Sequence, residues 1–521
     1  MYKTNIKRNS DYYRKDGEKT LKTSNKSAFP DITDWTAIDW QDMFKRVDKL
    51  QKRIYRATSE NKFRKVRDLQ RTLIYGKAAL LLAIKRVTQT NKGKRTPGID
   101  GFRALNDYER AELFDTMKNM NIKLHNPKPA FRKYIKKKNG KFRSLGIPVI
   151  MDRIYQEIIR LALEPLAEVD FEPISYGFRP RRSAHDAASR IISNIRGGKW
   201  EWVFEGDFRS CFDTLSHDFI VKQIKGFPLL NLVDKFLKAG YVDNNVLHET
   251  EEGTPQGGLL SPLLANIALN GMEDILNISY ARRKDKNGNI SYITKGDYRM
   301  VRYADDFVIF AQNKKDIEAL YGILNPYLKD RGLELAPEKT RITHISEGFD
   351  FLGFNFRRYN TYDGFIHLSK PSKGSIRSFK LKVADLCRQL HGHSVDELVD
   401  KLNSLIRGTA NYWKPTAAKR IFAKMDDYIW HKVYRFIERL HPNKGGKWIK
   451  KTYFPHYNDG KHDCNWILTG PKNKNLTGPK NKNHLIKMAW IPIRRHTMIQ
   501  YNSSPFDKSK EQYFYDRLYL N

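Results

Sequence analysis

The stretch Met300-Val301-Arg302-Tyr303-Ala304-Asp305-Asp306-Phe307-Val308-Ile309-Phe310 decides the fold. Apolar residues flank two adjacent carboxylates, the pattern of two strands joined by a tight acidic turn. Like charges this close repel, and a cation between them keeps both ionised, so Asp305 and Asp306 are candidate metal ligands. A solvated hairpin tip has the same local form, and the rest of the chain has to choose between the two. Donors that are all oxygen point to Mg²⁺. About a hundred residues earlier, Trp200-Glu201-Trp202-Val203-Phe204-Glu205-Gly206 reads as a strand that delivers Asp207 at its end, followed by Phe212 and Asp213. This third carboxylate joins the pair only in a fold that lays its strand beside the hairpin.

Composition narrows the partners. At 521 residues with 40% hydrophobic content the chain has material for three or four folded units. Lys and Arg number 95 against 58 acids, a net charge of +37, which makes a polyanion the expected partner. Aromatic content of 12% beside that charge favours nucleic acid over a membrane surface, because stacking and phosphate neutralisation use those two residue types together. No apolar run approaches the ~20 residues of a membrane span. Cys211, Cys387 and Cys464 are isolated, too few for a disulfide framework or a cysteine zinc site, so intracellular residence is expected. The polar, basic start lacks the apolar core of a signal peptide and reads as a flexible arm.

Along the chain, Phe44, Val47, Leu50, Ile54, Phe63, Val66 and Leu73 recur at helical spacing, with Asp39 as N-cap, giving two basic amphipathic helices. Their Lys49, Lys52, Arg53, Arg64, Lys65, Arg67 and Arg71 form either a solvated face or a contact to a template strand. Lys136 to Lys141 make a basic hairpin turn in which Lys141 and Arg143 alternate with Phe142, so both face one side of a strand and can grip the phosphate oxygens of a triphosphate. Ser175-Tyr176-Gly177-Phe178-Arg179-Pro180-Arg181-Arg182 reads as a cationic loop. Gly253-Thr254-Pro255-Gln256-Gly257-Gly258 is a turn stripped of side chains, open to close approach by a base pair or sugar, and Ser261 is expected to cap the helix after it, with Pro262 at its first position. Residues 282–296 read as a charged surface loop. Helical periodicity returns at 376–390, 395–405 and 421–440. A tandem octapeptide, Leu468-Thr469-Gly470-Pro471-Lys472-Asn473-Lys474-Asn475 and its copy, reads as a basic inserted loop.

These elements together resemble the group II intron-encoded reverse transcriptases, or maturases. The resemblance runs through Thr96-Pro97-Gly98-Ile99-Asp100-Gly101, Leu145-Gly146-Ile147-Pro148, Ser175-Tyr176-Gly177-Phe178-Arg179, Gly206-Asp207, Thr254-Pro255-Gln256-Gly257-Gly258, Tyr303-Ala304-Asp305-Asp306 and Phe351-Leu352-Gly353-Phe354, in that order. It implies an α+β right-hand polymerase with fingers, a palm with an antiparallel sheet and a helical thumb. A basic N-terminal extension would precede it and a DNA-binding segment would follow. The expected ranges are an arm at 1–34, the extension at 35–101, fingers and palm at 102–362, the thumb or X domain at 363–440 and the DNA-binding segment at 441–521.

By the same resemblance Asp207, Asp305 and Asp306 are metal-binding catalytic carboxylates for two Mg²⁺ ions, and Lys141 and Arg143 contact the triphosphate. Gln256 belongs to the nucleotide pocket and Phe212 blocks a ribose 2′-hydroxyl. Lys339 matches a position that protonates pyrophosphate, although an ordinary surface lysine would look the same. The implied partners are group II intron RNA, target DNA and dNTPs, with no membrane, in a bacterial cytoplasm or nucleoid or in an organelle. The oligomeric state is left open. The chain would copy intron RNA into DNA and bind that RNA to promote splicing. A reverse transcriptase recruited to host defence or repair is the alternative, separable by whether a ribozyme RNA is encoded around the gene. The chain departs from the family's pattern at Ile135-Lys136-Lys137, at Arg143-Ser144-Leu145-Gly146 and at Thr409, and a zinc-supported His-Asn-His endonuclease is expected to be missing. In 441–454, basic residues interleaved with Trp448, Tyr453 and Phe454 suit phosphate contact plus stacking.

Overall fold

The structure, a computed structural model, describes residues 34–136, 140, 142–254, 257–284, 290–470 and 483–520. The arm, Lys141, Gln256 and nearly all of the octapeptide repeat lie outside the described residues. The strands in chain order are β1 (Ala130–Lys136), β2 (Phe142–Ile147), β3 (Trp202–Gly206), β4 (Tyr241–Asp243), β5 (Val246–His248), β6 (Ser279–Lys284), β7 (Ile290–Lys295), β8 (Arg299–Tyr303), β9 (Asp306–Ala311), β10 (Arg341–His344), β11 (Phe349–Phe351), β12 (Phe354–Thr361), β13 (Gly364–Pro371) and the short pair β14 (Tyr457–Asn458) and β15 (Asp463–Cys464). Helices occupy most of the remaining described chain, and the fold is α+β. It divides into two compact units.

The larger unit holds the described residues up to Ser183, Trp202–Ile342 and those from Ile499 onward. Its helix Trp40–Ser59 starts where the Asp39 carboxylate accepts from the N–H groups of Gln41 and Asp42, as the sequence predicts. The buried stripe is rotated from the expected one: Met43, Val47, Gln51 and Ile54 face inward, and Phe44 is 49% exposed. A glutamine replaces a hydrophobe on that face for a backbone reason. Pro165, inside the helix Ile150–Asp170, has no N–H to give the carbonyl of Leu161 one turn back. Gln51 donates its amide to that carbonyl at 2.8 Å, and Gln70 donates to the next, Ala162, at 3.1 Å.

Two sheets follow. The first has the order β2-β1-β4-β5 and carries the basic hairpin, antiparallel from Phe131 against Ile147 to Lys136 against Phe142. The second, β10-β3-β9-β8, is built from the apolar runs Val203-Phe204 and Phe307-Val308-Ile309-Phe310, each residue of which is at most 1% exposed. Among the described residues of 282–296 the expected loop is replaced by strands: β6 and β7 pair as an antiparallel ribbon from Ser279 against Lys295 to Lys284 against Ile290. Tyr501 packs tilted against Tyr280 at 4.2 Å and stacks on Tyr292 at 4.4 Å, and supplies the apolar cover that the ribbon's own charged sequence lacks. The helix after the glycine turn runs Ser261–Ala268 with Leu260 at the N-cap position, so Ser261 lies inside the first turn instead of capping it.

Glu273 in this unit is buried and lies near Glu172, with Tyr280 donating to it at 2.6 Å. Burial first, then the Glu172 charge, raises its pKa from 4.5 to about 8. The folded state therefore holds a proton that the unfolded chain releases above pH 4.5, so this group's stabilisation is complete below 4.5 and is lost as pH rises to about 8. Glu273→Gln should melt at nearly the wild-type temperature at pH 5 and be more stable than wild type by a few kcal/mol at pH 8.5. A difference between the two proteins that does not change with pH would contradict this.

The smaller unit comprises Ala184–Glu201 and Thr343–Met498. Its antiparallel sheet β11-β12-β13 begins at the predicted hairpin, where Leu352 and Gly353 turn with φ of 50° and 78°. The helices Lys373–Gln389, Val395–Trp413 and Lys419–Leu440 pack together; Ser372 and Ser394 cap the first two, and Phe379 meets Trp413 edge-on at 5.8 Å. A short helix, Gly446–Tyr453, follows. Trp448 is 37% exposed under Lys444, but Phe454 is 2% exposed, and its role as a stacking platform is corrected to core packing.

Candidate active site

The site forms at one end of the second sheet. In the β8–β9 hairpin Tyr303 pairs with Asp306, leaving Ala304 and Asp305 as a two-residue turn. Ala304 has φ 58°, a left-handed conformation more usual for glycine that costs about 1 kcal/mol or more. The surroundings hold it there. Segment 174–176 runs along β8, with Arg302 N–H bonded to Ile174 O at 3.0 Å and Tyr176 N–H to Arg302 O at 2.9 Å. Behind the turn lies Gly177, where a Cβ would sit 2.3 Å from Ala304 N. The loop is cationic by sequence, yet Arg179 is buried and paired with Glu168 at 2.8 Å. The loop supports the acidic turn, and the signal for this was its glycine.

Asp207 arrives through register. β3 pairs with β9 as far as Gly206 against Phe307, so the next residue of β3 emerges beside the hairpin tip. Gly206 permits this because the Phe307 ring lies across it: a Cβ there would be 2.1 Å from the ring. Phe204 and Phe208 stack on the same ring at 6.2 and 5.1 Å. Gly206→Ala must push that ring out of a packed core, and a loss of about 1–3 kcal/mol is expected in chemical denaturation. Wild-type stability would show that the ring can yield.

Chain 334–340 closes the other side. Arg209 N–H bonds Glu334 O and Ala336 N–H bonds Asp207 O, both at 2.9 Å, and this pairing carries Lys339 round to an ion pair with Asp207 at 2.9 Å. The structure thus unites four predicted residues: Asp207, Asp305, Asp306 and Lys339. Burial and the like charge of Asp207 push the Asp305 carboxyl up; burial, then Asp305 and Asp207, push Asp306 up to about 7. Asp306 is open to solvent by area but crowded by protein on its remaining sides. Arg143, exposed on β2, and Lys339 act on both carboxyls in the opposite sense.

Among the described residues no three acid, histidine or cysteine side chains close into a ready-made metal cage. The donor set still suits a hard divalent cation, since it is all carboxylate oxygen and its mutual repulsion is what such an ion would relieve. Phe212 is half-buried on the turn Cys211–Thr214, five residues past Asp207. Gly253 lies so close under that turn that a Cβ would be 2.6 Å from Asp213 O. Gly257 abuts the hairpin strand β2 in the same way, 2.4 Å from Gly146 O. Gly253 thus meets the Phe212 turn and Gly257 meets β2, each at a place where a Cβ would not fit. Lys141 and Gln256 fall outside the described residues.

A sheet-end carboxylate cluster beneath a basic hairpin defines a nucleotide polymerase of the reverse transcriptase class, and a family comparison agrees. Residues 135–356 match "Reverse transcriptase (RNA-dependent DNA polymerase)", residues 35–117 match "N-terminal domain of reverse transcriptase" and residues 376–454 match "Group II intron, maturase-specific domain". Group II intron-encoded protein LtrA of Lactococcus lactis subsp. cremoris is 31% identical over 407 residues, covering 62% of this chain and 67% of that protein. Protein YkfC of Escherichia coli K12 is 37% identical over 303 residues, 52% of this chain and 79% of that one. Putative COX1/OXI3 intron 1 protein of Saccharomyces cerevisiae is 31% identical over 322 residues, 53% of this chain and 38% of that one. The chain belongs to the group II intron-encoded proteins, reverse transcriptases that are also maturases. Among the described residues no helix is long and apolar enough to cross a membrane.

Proposed function

We propose that Asp207, Asp305 and Asp306 hold two Mg²⁺ ions for nucleotidyl transfer from a primer 3′-hydroxyl to a dNTP on an RNA template. The observation that carries this reading is the meeting of Asp207 with the adjacent pair Asp305 and Asp306, about a hundred residues away in the chain, at one sheet end, with the pair pushed up by crowding. When bound, the ions would activate the hydroxyl and neutralise charge on the leaving pyrophosphate. The sheet β2-β1-β4-β5 serves as fingers, the sheet β10-β3-β9-β8 as palm and the three packed helices as thumb. Arg143 contacts the triphosphate, and Lys141 and Gln256 complete the pocket in this assignment. Lys339, already held at Asp207, offers an ammonium proton to the departing pyrophosphate. Phe212 excludes the ribose 2′-hydroxyl.

Intron RNA and target DNA are the polyanions that the charge of +37 serves. Trp448 and Trp466, exposed with Lys444 and Lys450 over their rings, suit phosphate contact with stacking. The protein would work wherever its intron is transcribed, in a bacterial cytoplasm or in an organelle. Extension of a DNA primer on an RNA template tests the reading. Deoxynucleotide addition should require Mg²⁺ and stop with chelator, and continued synthesis in chelator would overturn the metal assignment.

A further inference from the structure

Arg302 is the residue before the acidic turn, and it is fully buried. One guanidinium nitrogen meets Glu172 at 3.3 Å and another meets Asn266 Oδ1 at 3.3 Å, both near the outer limit for a hydrogen bond. Its Nε has no hydrogen-bond partner among the described residues. Asn266, 2% exposed, donates its amide to Gly177 O at 2.8 Å. Gly177 in turn lies against Ala304 N, with no room for a Cβ between them. Glu172 is fixed from its other oxygen, which accepts from the N–H groups of Gly271 and Glu273 at 2.9 and 2.8 Å.

A buried ion pair with long contacts and an orphaned N–H is a poor way to stabilise a core, because desolvation offsets most of its attraction and an apolar side chain fills the volume at less cost. What it does well is fix geometry. The arginine presents a planar fork, so Glu172 and Asn266 must lie at set directions from β8. Asn266 passes that constraint to a carbonyl that lies directly behind the strained residue of the turn.

We propose that Arg302 and Asn266 are positioning residues: the buried guanidinium orients the Asn266 amide, which fixes Gly177 and with it the backbone of Ala304 and Asp305. Neither side chain touches substrate. This inference rests on the reading of Asp305 and Asp306 as metal-binding carboxylates, and it explains why a loop with no catalytic group of its own, 175–179, has glycine where it meets the turn.

The test uses full-length protein with an RNA template and DNA primer, comparing Asn266→Ala, Asn266→Asp and Arg302→Lys. Asn266→Asp is the diagnostic change, since it keeps an acceptor for Arg302, now a charged one, while it replaces the donor to Gly177 O by an acceptor. Single-turnover extension at saturating dNTP separates the burst rate, which reports geometry, from the burst amplitude, which reports the fraction of folded, active enzyme. Hydrogen exchange of peptides covering 303–306 in metal-free protein reads the turn without any activity.

The expected result is a burst rate lower by about 10²-fold in Asn266→Ala and Asn266→Asp, with dNTP KM close to wild type and faster exchange at the turn. Arg302→Lys, with one charged group in place of a fork, should follow them. A wild-type burst rate, whatever the amplitude, would overturn the proposal, because a merely structural role lowers only the amplitude. Unchanged exchange at 303–306 would also overturn it. Asp305→Asn run alongside separates the two failures: if it polymerises normally the reading of the turn falls, and if it is inactive while the Asn266 variants are normal only the positioning role falls.

Discussion

Asp305→Asn is expected to abolish RNA-templated DNA synthesis, lowering single-nucleotide incorporation by roughly 10³-fold or more while leaving intron RNA binding and protein-assisted splicing intact. The change is isosteric and removes one charge. In the folded protein that charge is a burden, since burial and the Asp207 charge push the Asp305 carboxyl up, and it is the second-largest cause of the Asp306 shift to about 7. Asparagine therefore relieves crowding, and its thermal midpoint should be no lower than wild type. What asparagine cannot supply is the anionic oxygen that a divalent cation needs, and cation stabilisation of a phosphoryl transition state is worth several kcal/mol, or several powers of ten in rate. Asp207→Asn should be as severe, with Lys339 losing its partner as well. Primer extension and filter binding of intron RNA on the same preparations check both halves. Extension near the wild-type rate would remove Asp305 from the chemistry, and lost RNA binding would mean that the substitution had disturbed more than the turn.

The parts of this site that the sequence makes legible are those whose signal is local. An acidic pair between two apolar runs can fold in few ways, and the predicted β8–β9 hairpin is found with its turn in the expected place. The strand before Asp207 is legible for the same reason. Its union with the hairpin is not, because the register of β3 on β9 is set by Gly206 admitting the Phe307 ring, a contact between residues about a hundred positions apart. Gln51 looks misplaced on an apolar stripe until Pro165 leaves a carbonyl for it. The β6–β7 ribbon has too many charges to show strand alternation, and the rings that steady it include Tyr501, far along the chain. Arg179 reads as one more surface cation because nothing nearby in sequence announces that Glu168, on another element, will neutralise it.

Phe212→Ala is expected to relax the choice between deoxy- and ribonucleotides by about 10²-fold, with deoxynucleotide incorporation changed much less. The effect is steric and starts from the backbone. Ser210, with φ 48°, starts a single helical turn, Cys211–Thr214, a few residues after β3, so Phe212 is fixed relative to Asp207 by a few peptide units. A second tether comes from the glycine turn: Gly253 N–H bonds Leu215 O at 2.7 Å, Thr254 N–H bonds Phe212 O at 2.5 Å, and the absent Cβ of Gly253 leaves the space that Asp213 O occupies. A residue whose backbone is held at both ends presents its ring from a fixed base, whereas one on a mobile loop would shift aside with the extra hydroxyl and discriminate weakly. Alanine removes the ring and keeps both tethers, so the pocket should gain room without moving the aspartates. Single-nucleotide extension kinetics with matched dNTP and rNTP measure the ratio of their kcat/KM values directly. If that ratio is unchanged in Phe212→Ala, the gate is a different side chain, and if both nucleotides slow equally, the ring supports the turn and gates nothing.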